Sequence, residues 1–144
     1  MRIRQEIQAV SRQIELKRIQ VVAGILVDTT DAILIADRAQ SRSMQDYWEF
    51  PGGKVADGEP RIEALRRELQ EELGIEVDTA THFTRIDHDY PDINVSIDFY
   101  VVESWRGDPE GKEGQQLAWI RRCDLGSAGM LPADAPVVEA LLNR

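Results

Sequence analysis

The 144-residue chain has a single cysteine, Cys123. No disulfide can close within it, which fits a reducing cytosol and equally a cysteine-poor secreted protein. Nothing around Cys123 suggests an activated thiolate, so it reads as a packing or surface residue. Long apolar runs are also missing. The longest, "VVAGILV" at 21–27, is far too short to cross a bilayer, and "MRIRQEIQAV" at the start has no uninterrupted apolar region. Neither a membrane span nor a signal peptide is expected, and a cytoplasmic protein is. Basic residues are scarce, with 17 Lys and Arg against 26 Asp and Glu and a net charge of −9. That balance argues against gripping a nucleic acid polymer through its phosphates. It leaves room for a phosphate compound that arrives with a divalent metal, because the metal reverses the local sign.

What is present is a globular mix of 42% hydrophobic and 30% charged residues, long enough for one domain with a core. Residues 1–18 stand apart, carrying five basic and two acidic residues. Ile3, Ile7, Val10 and Ile14 recur at helical spacing, so this arm reads as an amphipathic helix packing on the domain or on a partner chain, or as a frayed arm. Two heptads are too few for a coiled coil, and the arm is compatible with a monomer or a homodimer. From Ile19 onward β-branched runs predict strands at "IQVVAGILVD", "AILIADR", "INVSIDFYVVESW" and "QLAWI", with one or two more in "IEVDTATHFTRIDHDY". "YWEFPGGKV" reads as a short strand broken at Pro51-Gly52-Gly53. Residues 60–73 predict a helix, with Pro60 in its first turn, a stripe of Ile62, Leu65, Leu69 and Leu73, and Gly74 as its stop. "PADAPVVEALLNR" predicts a closing helix. The resulting class is α+β, an α/β/α sandwich, in one domain over 19–144.

The helix over 60–73 carries the chemistry. Glu68, Glu71 and Glu72 lie three and four residues apart, hence on one face, where like charges destabilise an isolated helix by a few tenths of a kcal/mol each. Arg67 cannot neutralise three partners. A divalent cation can: magnesium takes oxygen ligands, a few carboxylates and water, and pairs with substrate phosphates. An ordinary solvated acidic face would read the same from these three residues alone. The upstream Gly52-Gly53 pair lets the backbone turn sharply and leave a main-chain carbonyl free as a further hard ligand.

Counted from Gly53, the spacing is G-x5-E-x7-R-E-x-x-E-E-x-G-I, placing Gly53, Glu59, Arg67, Glu68, Glu71, Glu72, Gly74 and Ile75 at eight fixed positions over twenty-three residues. This resembles the complete Nudix box. The preceding "WEFPGGK", the "GKEGQ" loop and "LPADAPVVEALL" extend the resemblance to the MutT branch of Nudix hydrolases, from about Ile19 to the end. It implies the Nudix sandwich with a mixed central sheet and a loop–helix. It also implies magnesium (manganese possible) held by the Gly52 carbonyl, Glu68, Glu71, Glu72 and Glu113, the last singled out by the resemblance alone. Glu68 would orient or deprotonate the attacking water, Arg67 would orient the carboxylates, and Glu59 would brace the loop–helix junction. The implied reaction cleaves a nucleoside triphosphate to monophosphate and pyrophosphate. A non-catalytic nucleotide-binding module would show a degenerate box, and this one keeps every carboxylate. A hydrolase for another diphosphate, such as a nucleotide sugar, is disfavoured by "WEFPGGK" and "GKEGQ".

Base choice falls outside the box. Arg38 ends the second strand, where MutT relatives place an arginine near the nucleotide, or is a surface residue. Phe50 and Tyr90 are candidates to line a nucleoside pocket, with core packing as the competing role for Phe50, and Glu49 and Gly53 adjoin the same pocket. Asp134 stands where bacterial MutT carries an asparagine. Asn offers a donor and an acceptor, an ionised Asp only acceptors, and a protonated Asp both again. Oxidised purine triphosphates therefore come first and cytidine triphosphates second. Asp134 is also placed to N-cap the closing helix.

Overall fold

The computed structural model describes residues 18–41 and 43–144. The arm expected over 1–18 thus lies outside the described residues except for Arg18, which opens the first strand. The elements in chain order are β1 (Arg18–Leu26), β2 (Ala32–Asp37), β3 (Trp48–Glu49), β4 (Gly52–Lys54), α1 (Arg61–Leu73), β5 (Glu76–Asp89), β6 (Asn94–Arg106), β7 (Leu117–Arg121) and α2 (Ala135–Leu142). Short 3-10 turns at Arg122–Ser127 and Pro132–Asp134 lead into α2.

The α+β class holds. The strands divide into two sheets, a mixed four-stranded one ordered β4-β1-β6-β5 and an antiparallel three-stranded one ordered β3-β2-β7. β1 and β6 run parallel, from Arg18 opposite Asn94 to Leu26 opposite Val102. Alternation along these strands builds two cores, since successive side chains point to opposite faces. Ala23, Ile25, Val95, Ile97, Phe99 and Val101 face one cluster with Phe50 and residues of α2. Val22, Leu26, Tyr100 and Val102 face the other, against α1.

α1 is built as its pattern predicts. Ala64, Leu65, Leu69 and Leu73 are buried, and each Leu contributes about 2 kcal/mol by leaving water. Gly74 ends the helix at φ 70°, ψ 24°, donating its N–H to the Gln70 carbonyl at 3.0 Å, a left-handed cap that glycine adopts without strain. The start of α1 is tied to the sheet by charge. Asp98, buried on β6, takes Arg61 at 2.6 Å, Arg85 at 3.1 Å and His82 at 2.9 Å. This clamps one end of the acidic helix so that its face toward the β3–β4 loop is fixed.

Asp134 does not cap α2. Its backbone is αR and its side chain makes no bond to the helix N–H groups. The Pro132–Asp134 turn runs into α2 and sends the carboxyl into the protein, where it is 3% exposed.

Candidate active site

Two glycines bring the β3–β4 loop onto α1. A Cβ at Gly52 would overlap the Val22 carbonyl of β1, and one at Gly53 would overlap the Glu68 carboxylate. The Gly52 N–H donates to Glu72 Oε2 at 2.8 Å, so the loop is stitched to the helix through one of its carboxylates. Arg67 supplies the second tie. Its guanidinium donates to both Glu59 oxygens at 2.9 Å, to Glu68 Oε1 at 2.9 Å and to the Lys54 carbonyl at 3.0 Å, and it sits 3.4 Å from Glu71. Glu59 also accepts the Ala56 N–H at 3.0 Å. The Arg67 bonds and that N–H together hold the Glu59 carboxyl down to about 2. Glu59 therefore braces the junction.

Glu68 and Glu72 sit at higher energy. Burial raises the Glu68 pKa, with Arg67 opposing and the charges of Glu71 and Glu113 adding to the rise. Glu72 is pushed up to about 8, by burial first and then by the charges of Glu49, Glu113 and Glu68, against the Gly52 N–H. Arg67 is shared among three carboxylates, and Glu72 lacks a cationic partner among the described residues. Among those residues no three His, Cys, Asp or Glu side chains converge at metal-holding distance, because Glu68 and Glu71 lean on Arg67 and Glu72 on Gly52. The donor set nevertheless fits a hard divalent cation. It is all oxygen, it lines one side of a helix, and its mutual repulsion is what a dication relieves.

Two cavities meet here. One of about 280 Å³ is lined by Asp37, Gln40, Glu49, Glu72, Glu113 and Gln115. The other, about 200 Å³, is lined by Arg38, Glu49, Phe50, Gly52, Gly53 and Asp134 over an apolar floor including Val21, Ala23, Ile97 and Leu131. Glu49 forms part of both walls. Larger surface clefts of about 450 and 640 Å³ involve none of the box residues.

In the second cavity, Arg38 Nη1 pairs with Glu49 Oε2 at 2.7 Å. Burial raises the Glu49 pKa and Arg38 opposes it. Asp134 is pushed up to about 8, by burial first and then by the Glu49 charge, against the Phe50 backbone N–H and Arg38. Two buried polar atoms lining this cavity, Arg38 Nε and Asp134 Oδ2, have no hydrogen-bond partner. Buried polar groups are nearly always satisfied, so two unpartnered polar atoms on residues lining one cavity point to a ligand there.

The remaining sequence candidates divide. Phe50 is 3% exposed and meets Phe99 edge to face at 6.0 Å, so core packing is its main role, with one side toward the cavity. Tyr90 stands behind Asp134: its hydroxyl accepts the Ala133 N–H at 3.1 Å, which braces the turn carrying Asp134. Sequence reasoning did not single out Gln115, whose side chain bonds both Glu72 and Glu113, nor Asp37, which receives the Gln116 N–H at 3.0 Å. The one available signal was the position of Gln115 two residues beyond Glu113.

A carboxylate-lined helix face, a glycine loop pressed against it and a buried cleft alongside make up the candidate active site. The NUDIX domain matches residues 17–141, and the chain belongs to that family of hydrolases. It is 37% identical over 126 residues to the 8-oxo-dGTP diphosphatase of Escherichia coli K12, covering 88% of this chain and 98% of that protein. The CTP pyrophosphohydrolase of the same strain is 32% identical over 127 residues, covering 88% and 93%. Among solved structures, one from a study of MutT from Aliivibrio salmonicida and Vibrio cholerae superimposes with a TM-score of 0.75 at 40% identity, covering 89% of this chain and 98% of that one.

Proposed function

We propose that the chain is a magnesium-dependent nucleoside triphosphate pyrophosphohydrolase, with manganese able to substitute. It hydrolyses oxidised nucleoside triphosphates such as 8-oxo-dGTP to monophosphate and pyrophosphate, clearing them from the cytoplasmic nucleotide pool. The observation that carries this reading is the contiguity of an incompletely neutralised carboxylate face with a buried cleft lined by two residues with unpartnered polar atoms. Relatives named for 8-oxo-dGTP support the substrate class.

Gly52 through its carbonyl, with Glu68, Glu71, Glu72 and Glu113, would hold the metal. When bound, divalent cations supply charge neutralisation on the triphosphate and acidify the attacking water. Glu68, held against Arg67 at 2.9 Å, would orient or deprotonate the attacking water. Arg67 keeps Glu68 and Glu71 on the reacting side of the helix and ties them to the glycine loop through Lys54. In the cleft, burial favours the protonated form of Asp134, which would offer one O–H donor and one carbonyl acceptor. That pair matches the carbonyl and adjoining N–H that 8-oxoguanine presents on one edge. The open Arg38 Nε–H supplies a further donor.

A second reading rests on Glu49, which shares the cleft with Asp134. Two carboxyls beside one base favour an exocyclic amine, as in CTP or a modified dCTP. Pyrophosphate release from 8-oxo-dGTP, dGTP, CTP and 5-methyl-dCTP at low concentration, with and without magnesium, separates the two. Preference for 8-oxo-dGTP supports the first reading and preference for CTP replaces it. Magnesium-independent release, or none from any of the four, rejects both.

A further inference from the structure

We infer that Gln115 is a positioning residue that sets Glu113 against the acidic face of α1; this rests on the reading of Glu113 as a cation ligand given above. Glu113 rides on the loop between β6 and β7. The entry side of that loop is tied to the end of α1, where the Glu110 N–H donates to the Leu73 carbonyl at 3.0 Å and the Lys112 N–H to the Glu72 carbonyl at 3.0 Å. These bonds occupy carbonyls that a helix end leaves open. The exit side is tied to β2, where the Gln116 N–H donates to Asp37 Oδ1 at 3.0 Å and the Asp37 N–H to the Gln116 carbonyl at 3.0 Å. Between the two ties stand Glu113, Gly114 and Gln115. Glu113 is exposed, Gly114 has φ 84°, and inside the loop the Lys112 N–H also reaches the Glu110 carbonyl at 2.9 Å and the Gly114 N–H the Gly111 carbonyl at 3.2 Å.

Gln115 connects this apex to the helix. Its Nε2 donates to the Glu72 carbonyl at 3.2 Å and its Oε1 accepts the Glu113 N–H at 2.9 Å. The partners are a carbonyl and an N–H, which fixes the orientation of the amide. One side chain therefore joins the main chains of two of the carboxylate-bearing residues. Glu72 is in turn held to the glycine loop through its own carboxylate. The result is a continuous path from the Gly52 loop through Glu72 and Gln115 to Glu113. Without the Gln115 amide, the Glu113 backbone can turn away from the cavity while the loop's two ends stay in place. Partners of this kind around metal ligands are worth about 10–100-fold in affinity or activity.

The test compares Mn2+ binding, read by EPR with a non-hydrolysable nucleoside triphosphate analogue present. The proteins are wild type, Gln115→Met, Gln115→Ala, Glu113→Gln and the double variant Gln115→Met/Glu113→Gln, each checked by thermal melting. Gln115→Met keeps the side-chain volume and removes both bonds. Expected is a loss of about tenfold in Mn2+ affinity for either Gln115 variant. No further loss is expected when Gln115→Met is added to Glu113→Gln, because the cycle then closes on one shared effect. Unchanged Mn2+ affinity with a lowered melting temperature, additive losses in the double variant, or unfolding of both Gln115 variants would show a merely structural role and overturn the inference. If Glu113→Gln itself leaves Mn2+ binding unchanged, the ligand role of Glu113 fails and the inference falls with it. That result is distinguishable from failure at Gln115 alone.

Discussion

Replacing Asp134 by Asn keeps the shape of the side chain and removes its titration. In the folded protein the carboxyl is buried, its Oδ2 has no partner, and the guanidinium of Arg38, which lines the same cavity, is engaged by Glu49 at 2.7 Å. The pKa is pushed up from the ordinary carboxylate range to about 8. The folded state therefore keeps a proton that the unfolded chain has released from about pH 4 upward. Stability is greatest below that range and falls as pH rises toward 8. At about 1.4 kcal/mol per pH unit, the step from pH 6 to pH 8 costs the wild type about 2–3 kcal/mol. For a chain of this size that is about 5–10 °C in Tm. Glu72 titrates in the same window and adds its own loss to both proteins, so the informative quantity is the difference between them. Urea unfolding at pH 6, 7, 8 and 9 without divalent cation should give a shallower decline for Asp134→Asn. The same pair assayed on 8-oxo-dGTP and 5-methyl-dCTP should show wild-type preference for the oxidised purine weakening above pH 8 and the variant holding it. Parallel stability curves would refute the assignment of a buried, protonated Asp134.

Other substitutions separate packing from chemistry. Glu72→Gln should keep the fold, raise Tm in the absence of metal by removing the cost of a buried, repelled carboxyl, and lose both turnover and the Tm increase expected of the wild type with magnesium; a fully active Glu72→Gln protein would sink the ligand role. Gly52→Ala drives a Cβ into the Val22 backbone and should cost about 1–3 kcal/mol in urea unfolding. Gly53→Ala first meets the Glu68 carboxylate, a side chain that can shift, so it should melt near wild type while kcat falls. Tyr90→Phe leaves the Ala133 N–H without its acceptor; about 1 kcal/mol of stability should go, and KM for the nucleotide should rise more than kcat falls.

The acidic helix was legible because its information is local. Leu65, Leu69 and Leu73 mark one face, Glu68, Glu71 and Glu72 another, and Gly74 the end, all within fourteen residues. The strands were legible for the same reason, with β6 alternating core and helix-facing residues along its length. Relations between distant segments were not. Asp134 sits at the sequence position of a helix cap, and only the turn at Pro132 decides that its carboxyl points inward. Tyr90 reads as a pocket aromatic until Ala133 is brought to its hydroxyl. Gln115 bonds a carbonyl 43 residues earlier in the chain, and no periodicity or spacing carries that pairing. The division into two sheets is likewise set by which strands meet, which propensity does not encode.

The parallel pairing of β1 with β6 has a consequence for the order in which the molecule can assemble. β4, which carries the glycine pair, hangs on the other edge of β1, while β1 finds its long partner only when residues 94–102 are available. Closing so wide a loop is slow, and contacts this distant in sequence dominate folding times. On a ribosome the acidic helix therefore emerges well before the strand that steadies the sheet beneath it. Until then its glutamates repel one another in open solvent, with no fixed glycine loop to face. Free divalent cations at that stage would favour early helix formation. Refolding rates should consequently rise with magnesium in the wild type and be indifferent to it once Glu72 is neutralised.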